Sequence, residues 1–345
     1  MKLSKLGIFA SLAALAIAPL TPVPGLAQAQ PDNLEAAFDS AFGTEIRAPR
    51  DYAPSFDSQL EQRIAQLAEG SNGRIGVYAV DLATGQTISV LGDQRFPMAS
   101  TSKIAVAATF LEGVDQGRWS LTSEFPLMVP VRSQRFSTAV APVQAGQYMT
   151  ALELINLMIS RSSNPATDAL IAAVGGTSAV NDWARRAGIN DFSLDRDIAT
   201  LVRDDGEFDP ARHIDMRDSA TPEAMVQLLA GIYQGRWLSR ESRNVIMGAM
   251  ERTRTGARRI RALMPGDVTV AHKTGSLNNT SSDIGILTAP DGRTIALAIY
   301  VTGQGSRGNR EARIASIARG IYDGYSEEAA RNYARADYGA SVAAR

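Results

Sequence analysis

The sequence predicts an α+β fold: an antiparallel sheet formed by the N- and C-terminal segments and packed with helices, beside an all-helical lobe. Strand-like runs gather at 75–91 and again at 268–301, and helix signals fill the stretch between them. Strands and helices therefore segregate instead of alternating as βαβ units would. Leu60, Ile64 and Leu67 recur at i, i+4 and i+7, an amphipathic helix stopped by Gly70. Ile75 to Asp81 and Thr87 to Leu91 read as a hairpin turning at Ala83, Thr84 and Gly85. From Ser100 to Ile260 the signals are mainly helical. The first of these helices runs through Phe110, a Thr150/Glu153 capping box opens another, and Thr221 followed by Pro222 opens a third. Strands return at Val268 to Lys273, Asp283 to Thr288 and Thr294 to Val301, the last two joined by a Pro290-Asp291-Gly292 turn. A closing helix carries Ile314, Ile317 and Ile321 on one face.

The chain of 345 residues divides into a leader (1–29), a linker or surface strap (30–55), a main domain (56–325) and a peripheral tail (326–345). Within the domain, 56–95 and 266–325 make the α/β lobe and 96–265 the mostly helical one. Lys2 and Lys5 precede an apolar run from Leu6 to Leu20, and Ala27-Gln28-Ala29 follows, which reads as a cleavable secretory signal peptide. The run is shorter than the ~20 apolar residues that span a bilayer, and no lipid-bearing cysteine follows. A periplasmic or secreted protein without a stable membrane anchor is expected, as a monomer.

Composition narrows the chemistry. Apolar content of 45% with 21% charge is globular, and a net charge of −1 offers no nucleic-acid surface. There is no cysteine and there are two histidines, His213 and His272, which excludes thiol nucleophiles, disulfides, cysteine zinc sites and HExxH metalloproteases. No GxSxG elbow occurs. No metal or cofactor is called for. Hydrolytic chemistry must come from hydroxyls, lysines and carboxylates.

Three motifs supply them. Ser100 and Lys103 stand three apart where a helix opens, so hydroxyl and amine can be neighbours, and a lysine of lowered pKa can activate the serine. Ser162-Ser163-Asn164 lies in a break between helices, where hydroxyl and amide can converge on a cleft. Lys273-Thr274-Gly275-Ser276 ends a strand: cation and hydroxyl suit a carboxylate, and Gly275 lets a ligand approach the backbone.

In that order and context, S-x-x-K, S-x-N and K-T-G resemble the penicillin-recognising serine hydrolases, and class A β-lactamases most closely, over roughly residues 57–325. The resemblance implies a β-lactamase/transpeptidase-like fold and a small-molecule β-lactam or peptidoglycan-peptide substrate. It makes Ser100 the acylated nucleophile, Lys103 its proton partner and Ser162 a relay to the leaving nitrogen. Asn164 holds the substrate amide, while Lys273, Thr274 and Ser276 bind its carboxylate, and the N–H groups of Ser100 and Ser276 form the oxyanion hole. Arg196 and Asp218 pin the neck of the omega loop, and Arg259 adds carboxylate binding, crowded by Arg258 and Arg261.

The chain also departs from that family. The register through Leu194-Asp195-Arg196 puts Ile198 where the glutamate that activates the deacylating water stands, and Val202 at an asparagine. Isoleucine cannot accept a proton. The loop is lengthened by Arg203 to Phe208. Asp197, Asp204, Asp205 and Glu207 are candidate substitute bases, read as solvated charges on a polar loop. Ser163 replaces an aspartate, as peptidoglycan-cleaving relatives tolerate. His213 reads as structural or exposed, and His272 as tuning the electrostatics of Lys273. Three readings follow: a β-lactam hydrolase, a D,D-carboxypeptidase-like acyl hydrolase, and a noncatalytic penicillin-binding scaffold.

Overall fold

The computed structural model describes residues 46–47 and 58–343 of the chain. The leader and nearly all of the 30–55 strap lie outside the described residues. Within that strap, Ile46–Arg47 (β1) pairs antiparallel with Ile214–Asp215 (β7).

The centre of the molecule is a five-stranded sheet in the order β3-β2-β11-β10-β9, antiparallel at every pairing. Its strands are Ile75–Asp81 (β2), Thr87–Val90 (β3), Thr269–Leu277 (β9), Thr280–Thr288 (β10) and Thr294–Thr302 (β11). The two chain ends thus meet in one sheet, as segregated strand signals require. Strand β11 shows how the sheet sorts its faces. Leu297, Ile299 and Val301 enter the core under two helices, Gln59–Leu67 (α1) and Arg307–Ala343 (α9), while Ala296, Ala298 and Tyr300 enter the core of the helical lobe. Side chains two apart share a face, so one strand feeds both cores.

Lys103–Asp115 (α2) is the axis of the helical lobe, and Lys103 to Leu111 are buried throughout. A helix apolar on all sides belongs inside a protein, so the one lysine in its first turn is carried into the interior with it. Around it stand Ala151–Ser160 (α3), Asn164–Val174 (α4), Thr177–Arg186 (α5), Ile198–Arg203 (α6), Pro222–Gln234 (α7) and Arg240–Glu251 (α8). The expected caps are in place. Thr150 and Glu153 close a capping box on α3, and Thr221 Oγ1 accepts the Ala224 N–H ahead of α7.

One expectation needs correction. The lobe is not wholly helical, because Glu124–Pro130 (β5) and Val143–Thr150 (β6) form a hairpin with a register shift between Pro126 and Met128. Helix α9 continues through Tyr325 into the tail segment and ends at Ala343. That segment is rich in alanine, the best helix former.

Candidate active site

The three motifs meet where the outer strand of the sheet, β9, packs against the helical lobe. Ser100 sits in a 3₁₀ turn, Ala99–Ser102, between α2 and the short strand Phe96–Pro97 (β4), which pairs antiparallel with Ser219–Ala220 (β8). Ala99 has φ +49°, a left-handed conformation costly for a residue with a Cβ, and the surroundings hold it there. Thr101 donates to the Met98 carbonyl and meets Tyr300 Oη, while Ser102 donates to the Ala99 carbonyl. Gly275 packs directly on this turn. A Cβ there would fall 2.7 Å from the Met98 oxygen and 2.4 Å from Ser282 Oγ. The sequence suggested that Gly275 makes room for a ligand; in the structure that room is filled by the turn carrying Ser100.

Lys103 and Lys273 converge on one hydroxyl. Lys273 Nζ donates to Ser162 Oγ at 2.9 Å and Lys103 Nζ approaches the same oxygen at 3.3 Å. Lys103 also donates to the Ser162 carbonyl at 2.9 Å and to Asn164 Oδ1 at 2.7 Å. Ser162 is bent into this position with φ +58°. The middle residue of that motif faces elsewhere: Ser163 caps α4, its hydroxyl accepting the Ala166 N–H. Burial lowers the Lys103 pKa to about 7, against the opposing pull of Asp168. Burial, with the Lys103 charge second, lowers Lys273 well below its ordinary value. Burial in the seam makes both amines easier to deprotonate, and the charge of Lys103 adds to the effect on Lys273.

On the strand side, Thr274 Oγ1 lies 2.7 Å from Thr255 Oγ1. Ser276 Oγ accepts from Arg259 at 2.7 Å. The three crowded arginines separate by burial. Arg259 is buried and its guanidinium reaches the Gly275 and Ser282 carbonyls and Glu311, whereas Arg258 is exposed and Arg261 turns away to the Glu251 and Val270 carbonyls. His272 is buried behind Lys273 with its Nδ1 2.9 Å from Asp283, and His213 is exposed.

The loop from Asp195 to Asp218 is pinned at its neck. Arg196 Nε donates to Asp218 Oδ2 at 2.6 Å, and Asp218 Oδ1 accepts the N–H groups of Asp195 and Arg196. The Asp218 carbonyl in turn accepts the Met98 N–H, so the neck of the loop holds the turn that carries Ser100. Beyond the neck, Ile198 is buried in the core of the helical lobe and Val202 is exposed. The candidate substitute bases are occupied. Asp197 caps α6 through the Thr200 N–H, Asp204 pairs with Arg203 and accepts the Phe136 N–H, Asp205 accepts the Asn278 N–H, and Glu207 pairs with Arg217. Asp204 is buried, which corrects its reading as a solvated charge.

Sequence reasoning passed over Asp168. It lies one turn beyond Asn164 on α4, and its two carboxylate oxygens accept the N–H groups of Ile198 at 2.7 Å and Ala199 at 2.9 Å. The available signal was its spacing, four residues after the asparagine of S-x-N, which places both side chains on one helix face.

A helical lobe closed on the edge of an antiparallel sheet, with two lysines meeting one serine hydroxyl in the seam, defines a hydrolase of the β-lactamase type. A sequence model of the β-lactamase enzyme family matches residues 59–325, and the chain belongs to that family. It is 32% identical to the β-lactamase CTX-M-8 of Citrobacter amalonaticus over 279 residues, 79% of this chain and 91% of that one. It is 27% identical to the β-lactamase VEB-1 of Pseudomonas aeruginosa, over 72% of this chain and 84% of the relative. Among solved structures, a β-lactamase from Chitinophaga pinensis superposes with a TM-score of 0.68 at 28% identity, covering 78% of this chain and all of its own. A variant of the last common ancestor of Gram-negative class A β-lactamases superposes at 0.66 with 34% identity, covering 79% of this chain and 100% of that chain.

Proposed function

We propose that the protein is an exported serine hydrolase that opens β-lactams, or related amides, through an acyl-enzyme on Ser100. The observation that carries this reading is the convergence of Lys103 and Lys273 on Ser162 beside the Ser100 turn. Lys103, neutral above about pH 7, takes the Ser100 proton as Oγ attacks the carbonyl carbon. Backbone N–H groups of Ser100 and Ser276 face the developing oxyanion. As the C–N bond breaks, the proton passes from Lys103 through Ser162 Oγ to the leaving nitrogen. Asn164 orients the substrate amide, and Lys273, Thr274 and Ser276, with Arg259 behind, take its carboxylate.

Deacylation is the weak half. It needs a base to deprotonate water against the ester, and the glutamate's place holds a buried isoleucine. The expected result is rapid acylation and slow hydrolysis. That same isoleucine favours a second reading, a D,D-carboxypeptidase-like enzyme of peptidoglycan peptides that β-lactams inhibit.

One experiment divides them. The mature protein is incubated with a chromogenic cephalosporin and its intact mass followed. Sustained colour release supports the β-lactamase reading. A stable adduct without turnover, together with D-alanine release from a wall peptide, supports the peptidase. An adduct without either activity leaves the noncatalytic scaffold, and an adduct that survives Ser100→Ala overturns the assignment of Ser100.

A further inference from the structure

The omega-loop position that holds isoleucine has a carboxylate fastened to its backbone. Asp168 comes from α4, in the helical lobe, and accepts the N–H groups of Ile198 and Ala199. Asn164, one turn earlier on the same helix, accepts from Lys103 Nζ. A single helix face therefore reaches from the lysine to the loop. Asp168 is buried, and it also borders a cavity of about 310 Å³ lined by Asp195, Arg196, Asp197 and Thr200.

We propose that Asp168 is a positioning residue for acylation: one helix turn from the Asn164 amide that holds Lys103 Nζ, its carboxylate stabilises the ammonium that Lys103 becomes on taking the Ser100 proton, and so supplies from beneath the omega loop the negative charge that Ile198 cannot. This rests on the acyl-enzyme reading of Ser100 and Lys103. The step balances within the site. The Ser100 O–H bond breaks, Oγ bonds the carbonyl carbon, and the proton rests on Lys103 until it leaves through Ser162. Asp168 neither gives nor receives it. With both carboxylate oxygens held by backbone N–H groups it is not placed as the deacylating base, which agrees with slow hydrolysis.

The charges around the pair are few. Lys103 on α2 and Asp197 before α6 act on Asp168, Asp168 acts in turn on Lys103, Asp195 and Arg196 line the same cavity, and Lys103 acts on Lys273 of β9. Burial raises Asp168 to about 7, and the charge of Asp197 adds to the rise. These neighbours set opposite signs for two substitutions. Asp168→Asn removes the anion that stabilises protonated Lys103, so the lysine is neutral at lower pH and the acid limb of acylation moves down, by about one pH unit for the loss of an opposite charge at this range. Asp197→Asn keeps the cap, because asparagine caps as well as aspartate. It also removes a repulsion that keeps Asp168 protonated, so Asp168 ionises more readily and the limb moves up by a smaller amount.

The test measures the acylation rate constant of wild type and both variants from pH 5 to 9 by quenched intact-mass analysis. Opposite displacements of the acid limb support the proposal. A limb unmoved in both, with adducts still forming, overturns it and leaves Asp168 a clamp on the loop. Asp168→Asn loses one of two backbone contacts and can fail to fold. In that event Asp197→Asn decides alone, and an unmoved or lowered limb overturns the proposal. If wild type forms no adduct at Ser100, the acyl-enzyme reading falls and this inference with it.

Discussion

The two walls of the cleft treat their polar atoms differently. In the seam between α2 and β9, Lys103, Lys273 and Ser162 point their functional atoms at one another. In the loop from Asp195 to Asp218, each carboxylate named as a substitute base is spent on the loop itself: Asp197 on a helix cap, Asp204 on Arg203, Asp205 on a backbone N–H, Glu207 on Arg217. The seam is organised to react and the loop to hold its shape. An abundance of acidic residues therefore says little about where a base is, because a carboxylate with its lone pairs committed to structural donors is a poor proton acceptor.

Breaking the seam has the largest effect. Lys103→Ala removes the proposed proton acceptor, and stopped-flow acylation is expected to slow by about 10²- to 10⁴-fold. In wild type the same measurement should show acylation falling as pH drops below about 7, because Lys103 is then protonated and cannot accept the serine proton.

Breaking the loop neck should cost stability first. Asp218→Ala strands Arg196 and two backbone N–H groups around a buried carboxylate site, and thermal unfolding is expected to show a loss of about 3 kcal/mol. Acylation should suffer as well, because a loosened neck shifts the residue 218 carbonyl that holds the turn beneath Ser100. The smallest effect sharpens the contrast. Ser163→Ala removes only a helix cap, worth about 1 kcal/mol, and should leave the acylation rate within a factor of a few although it lies between two site residues.

Local chemistry was the legible part. Caps, the strand runs and the three motifs are set by neighbours within a few residues, and the sequence displays them. The β5–β6 hairpin escaped notice because its residues are half-exposed on both faces and interrupted by Pro126 and Pro130, so no alternation marks it. Arg259 was chosen by its place before the K-T-G strand with Arg258 and Arg261 crowding it, and burial is what separates the three. Asp168 was invisible for a related reason: its meaning comes from the backbone of a loop thirty residues on, which no local pattern records.

The contrast between seam and loop makes one quantity decisive: the ratio of the acylation and deacylation rate constants of the wild-type protein with one good β-lactam, read by quenched intact mass. The account predicts an adduct on Ser100 that forms much faster than it disappears, with Ile198→Glu speeding its loss at some cost in thermal stability. An adduct that disappears from the wild-type protein as fast as it forms would contradict it, because a competent base would then be at work in a loop whose carboxylates are all otherwise engaged.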